Sequence, residues 1–96
     1  MNSFGYLIRT SRESLKLPLR KVAAELDIDT SILSKIERGE RNATPDMIPI
    51  LSEILNIEFK SLQVLFLSNR IFNEFGEEKH IMDGLNKTIE IIKNSR

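Results

Sequence analysis

Apolar residues recur at three- and four-residue spacing along nearly the whole chain, and nowhere do they alternate strictly in the manner of a half-buried strand. The pattern predicts an all-α fold. A first helix over 3–16 gathers Phe4, Leu7, Ile8 and Leu15 on one face, and Pro18 is expected to end it, because the residue before a proline avoids helical angles. Leu17 then turns inward. A second helix over 18–26, with the proline in its first turn, carries Leu19, Val22, Ala23 and Leu26 at the spacing of a buried stripe. The next three residues, Asp27-Ile28-Asp29, form a short connection: Asp27 tolerates a left-handed conformation, and Asp29 can cap the following helix with its side-chain oxygen.

A third helix is expected over 30–38, stopped by Gly39. The polar loop "ERNAT" leads into a fourth helix that reaches about Leu55. Either Thr44 or Asp46 can cap it, and Pro49, which lacks an amide proton, favours the later start at Asp46. Ile48, Leu51 and Leu55 give this helix its core face, with Asn56 as terminator. Ile57 and Phe59 lead into a fifth helix. There "LQVLFLSNRIFNEF" carries two apolar faces, Leu62, Leu65, Phe66 and Phe72 on one and Val64, Leu67, Ile71 and Phe75 on the other. After Gly76 a sixth helix over 78–94 carries the stripe Ile81, Leu85, Ile89 and Ile92.

One small domain has difficulty covering both faces of the fifth helix. The expected organisation is therefore a domain over 1–66 and a helical extension over 67–96 that joins two copies of the chain through Phe66, Ile71, Phe72, Phe75, Ile81, Leu85, Ile89 and Ile92.

The third helix separates into two faces when its residues are set at roughly 100° intervals. Ile32, Leu33 and Ile36 fall on the core side, whereas Thr30, Ser31, Ser34, Lys35 and Arg38 fall on the other. Small hydroxyls at the amino end of an exposed helix allow close backbone approach, and they can donate or accept at base edges or phosphates. Lys35 adds a donor suited to guanine. Two helices, a three-residue turn, a glycine and a basic polar loop form the layout of a helix-turn-helix that lies in a major groove.

Composition narrows the alternatives. The 96 residues include no cysteine, which removes disulfides, thiolate zinc sites and cysteine nucleophiles. No apolar run is long enough for a transmembrane helix, and "MNSFGYLIRTSRES" lacks the make-up of a secretory signal, so a cytoplasmic location is expected. The 14 basic and 14 acidic residues cancel, leaving only a local excess: residues 1–41 hold eight Lys/Arg against six Asp/Glu. His80, beside Glu77, Glu78 and Asp83, has no second histidine to complete a metal site. No nucleophile motif, phosphate-cradling glycine loop or paired carboxylate appears, so neither an enzyme nor a cofactor is expected.

The stretch "LPLRKVAAELDIDTSILSKIERGERNATPDMIPILSEILNI" resembles the helix-turn-helix of the phage-repressor-like, Xre-type family of DNA-binding regulators, and the resemblance runs from about Phe4 to Leu65. Its most specific part is "SKIERGER". The resemblance implies base reading by Thr30, Ser31, Ser34 and Lys35, and phosphate contacts by Arg20, Arg38, Arg41 and Asn42. It also implies a structural ion pair between Arg12 and Glu37. Three positions depart from the family: Leu19 where a phosphate-touching glutamine is common, Asp27 for the usual turn glycine, and Glu40 for a common lysine, at an expected cost in nonspecific affinity. The implied function is a sequence-specific transcriptional regulator, a homodimeric repressor of an inverted-repeat operator in double-stranded DNA, with a phage, restriction-modification or toxin-antitoxin setting. The alternative is an antitoxin or adaptor that works mainly by binding a protein partner, such as a toxin, through its C-terminal helices.

Overall fold

The computed structural model describes residues 3–96, and among them the chain forms six helices and no strand. In chain order these are α1 (Ser3–Ser14), α2 (Leu19–Glu25), α3 (Thr30–Glu37), α4 (Met47–Leu55), α5 (Phe59–Phe75) and α6 (Ile81–Asn94). Helices α1 to α5 surround one core in which Ile8, Val22, Leu33, Ile36, Ile48, Leu51 and Leu62 are fully enclosed. Phe4 and Phe66 close one end of it, their rings tilted at 59° with centroids 5.7 Å apart. At the same end the side chain of Asn69 accepts the Phe4 amide at 2.9 Å, so α5 caps the first turn of α1.

Each of the first four helices stops at a residue in the left-handed region: Lys16 (φ 58°), Asp27 (φ 56°), Gly39 (φ 78°) and Asn56 (φ 55°). Paired backbone bonds close each corner, as where the Lys16 and Leu17 amides return to the carbonyls of Glu13 and Arg12. Termination at Lys16 corrects the expected reach of α1 and the role given to Pro18. The helix ends at Ser14, two residues short of 16, and Leu15 is left 45% exposed instead of joining the core. Pro18 itself is the extended residue preceding α2, not a member of its first turn. Asp29 and Asp46 occupy the N-cap positions of α3 and α4, but neither side chain makes the capping bond. Asp46 instead accepts a hydrogen bond from Thr44.

The seventeen residues of α5 span roughly 26 Å at the usual helical rise. Leu62 and Phe66 lie in the core, but by Phe72 the helix has passed beyond it, and Phe72 is 62% exposed. The helix runs unbroken across residues 66 and 67. Helix α6 buries no residue. A radius of gyration of 14.9 Å reflects this projection, since a compact chain of this length has about 12.5 Å. No helix is long and apolar enough to cross a membrane among the described residues.

Candidate nucleic-acid interface

The position of α3 is set by the core beneath it and by one ion pair at its end. Leu33 and Ile36 are buried beneath it and Ile32 packs partly against the same core, which orients the opposite face outward. Thr30, Ser31, Lys35 and Arg38 are exposed on that face, and Ser34 is half-buried. At its carboxyl end Glu37 is enclosed and held by Arg12 of α1, whose Nε and Nη2 donate to the two carboxylate oxygens at 2.8 and 3.1 Å. The third edge of the guanidinium, Nη1, donates to the Leu17 carbonyl at 2.9 Å. One side chain therefore joins α1, the segment entering α2 and the end of α3. The Glu37 hydrogen bond raises the Arg12 pKa, so the cation stays charged although its side chain is only 13% exposed.

The residues around this face divide by what they hold. Arg20 on α2, Lys35 on α3 and Arg41 and Asn42 in the following loop are exposed, and among the described residues none of their side chains makes an ion pair or a hydrogen bond within the chain. Arg38 differs. Its Nε and Nη2 donate to Glu40 Oε2 and Oε1 at 2.9 and 3.2 Å, and its Nη1 donates to the Ser34 hydroxyl. Hydrogen bonding to Arg38 lowers the Glu40 pKa and in turn raises that of Arg38. A helical projection could not place this pairing, because Glu40 lies beyond the helix. The signal was Gly39, whose left-handed turn and the return of the Glu40 amide to the Lys35 carbonyl at 2.8 Å bring residue 40 back against α3.

The expected subunit-joining residues are not all placed alike. Phe66 is 6% exposed and packs its ring on Phe4, so it belongs to the core and offers a partner no surface, which corrects its assignment to an interface. Ile71, Phe72 and Phe75 on α5 are exposed, as are Ile89 and Ile92 on α6. Ile81 and Leu85 are half-buried and, with Ser68, Ile71, Phe72 and Met82, line an open apolar groove of about 340 Å³ between the two helices.

His80 stands before α6, and no group of three or more potential metal ligands occurs among the described residues. What the α3 face offers is hydroxyl and ammonium groups for base edges, with unpaired cations and an amide around it for a phosphate backbone. A family model described as helix-turn-helix matches residues 8–62, more than half of the chain. No curated protein and no solved structure matches the chain.

Proposed function

The chain belongs to the helix-turn-helix family of phage-repressor-like, Xre-type DNA-binding transcription regulators, and from that premise we propose that it is a homodimeric repressor of an inverted-repeat operator. The observation that carries the reading is the fixed exposure of α3. Arg12 and the core hold its inner side, and Thr30, Ser31, Ser34 and Lys35 line the outer one. In this reading α3 lies in the major groove, with those four residues at base edges and Arg20, Arg38, Arg41 and Asn42 at phosphates. Repression follows from occupying a promoter.

The dimer reading is supported by the apolar surface of α5 and α6. An isolated helix of fourteen residues is marginal in water. A stripe only half covered within its own chain is suited to a second copy, with residues 67–96 acting as the joining extension. The same surface favours a second reading in which capture of a different protein is the main activity and DNA binding is subordinate.

Selection of binding sites from a random DNA library tests both. The expected result is an approximate inverted repeat whose half-sites are spaced by about one helical turn, roughly 34 Å, or a multiple of it. A single unrepeated half-site would overturn the dimer geometry. Absence of enrichment at moderate salt would overturn the repressor reading in favour of the protein-capture one.

A further inference from the structure

The cations around α3 are unequally available. Arg20, Lys35 and Arg41 face solvent unpaired among the described residues, whereas Arg38 is held by a carboxylate two residues along the chain. We propose that Glu40 is an affinity-setting residue of the DNA-binding face, a built-in substitute for a DNA phosphate that competes for Arg38 and so weakens binding to duplex of any sequence. The proposal rests on the DNA-binding reading above.

A carboxylate and a phosphate present the same two-oxygen edge to the guanidinium fork, so Glu40 and a backbone phosphate compete for one surface of Arg38. The competitor is kept in place by the backbone. Gly39 turns left-handed, and the Glu40 amide is tied to the Lys35 carbonyl. Arg38 also donates through its remaining edge, Nη1, to the Ser34 hydroxyl, which ties the pair to the outward face of α3. On random duplex, the phosphate contact Arg38 gains is offset by the carboxylate contact it loses. Both side chains of the pair are about half exposed, which keeps the clasp weak enough to open on binding.

The test is a double-mutant cycle on a random-sequence duplex, with affinity followed by anisotropy across a salt series and folding checked by circular dichroism. Glu40→Gln is expected to tighten binding about two- to fivefold at low salt and to steepen the salt dependence by about one unit of slope. In an Arg38→Gln background the same substitution is expected to change neither. On a selected operator the gain should be about the same as on random duplex, because both complexes must open the pair, so the specificity ratio is expected to stay unchanged. An equal gain in the Arg38→Gln background would overturn the proposal in favour of general charge repulsion, and unchanged or weaker binding by Glu40→Gln would overturn it outright. If no variant, nor the unaltered protein, binds any duplex at low salt, the DNA-binding reading fails and takes this inference with it.

Discussion

Arg12 and Glu37 face each other through two hydrogen bonds of 2.8 and 3.1 Å, one to each carboxylate oxygen, and the carboxylate side chain is 4% exposed. Removing Arg12 leaves the enclosed carboxylate without its cation, and removing Glu37 leaves the guanidinium with only the Leu17 carbonyl of its close hydrogen-bond partners. Glu37→Gln or Arg12→Ala should therefore destabilise the fold by about 3–5 kcal/mol, read from urea unfolding. Arg12→Lys should recover little of this, because an ammonium cannot reproduce the fork or reach the Leu17 carbonyl as well. Replacing both residues together by well-packed apolar ones should restore much of the loss. A fully stable Glu37→Gln variant would contradict this account of the pair.

Substitutions on the α3 face and in its loop should differ in kind. Lys35→Ala is expected to relax discrimination at particular base pairs, by about 1–3 kcal/mol for a good contact. Arg41→Ala should weaken binding to all sequences alike and reduce the salt slope by about one unit. Comparing an operator with its single-base variants distinguishes the two. A uniform loss for Lys35→Ala would remove it from the base-reading set.

Association can be tested without shortening the chain. Phe72→Glu or Ile89→Glu places a charge on the exposed apolar faces of α5 or α6 while leaving the buried core of α1 to α5 untouched. Under the proposed dimer, sedimentation equilibrium is expected to report twice the chain mass for the unaltered protein and a monomer for either variant. An unchanged mass in both variants would place any interface elsewhere.

The left-handed corners offer gains in stability. At Lys16 and Asp27 a side chain occupies a conformation that glycine adopts without a Cβ penalty. Lys16→Gly or Asp27→Gly should stabilise by up to about 1 kcal/mol, part of the relief being cancelled by the freer unfolded chain. A change of that size would raise the melting temperature by roughly 4–8 °C. A lowered melting temperature for both would show that the present side chains stabilise their corners.

Hydrogen bonding to Arg38 holds the Glu40 carboxyl below its ordinary value of 4.5. The attraction is present above that ordinary value and is lost as pH falls through the lowered one. The affinity ratio of Glu40→Gln to the unaltered protein should accordingly stay flat from about pH 8 to about pH 6 and fall towards one only in acid. Titration by anisotropy checks it, and a strong drift near neutrality would assign the effect to another group.

The core of α1 to α4 was legible because its apolar stripes keep helical spacing and because Asp27, Gly39 and Asn56 are residues that accept a left-handed turn. Lys16 carries no such preference, so the end of α1 and the exposure of Leu15 could not be read in advance. On α5 the two apolar faces are visible in the spacing, but spacing alone does not tell where a long helix leaves its domain, so it does not separate Phe66, which lies in the core, from the exposed Phe72. At the site, angles about the helix axis separated Ile32, Leu33 and Ile36 from Thr30, Ser31 and Lys35. They carried no information on Glu40, whose place depends on the corner that follows the helix.

The cap that Asn69 places on Phe4 also has a timetable. Sixty-five residues separate the two partners, and at about 5–20 residues per second a ribosome needs roughly 3–13 s to make that interval. For most of it the first helix has been synthesised, yet neither its amide cap nor the Phe66 ring that covers Phe4 exists. A nascent chain can thus carry the whole of α3 before the body that aims it has closed, and competence to engage DNA waits for α5 to be translated.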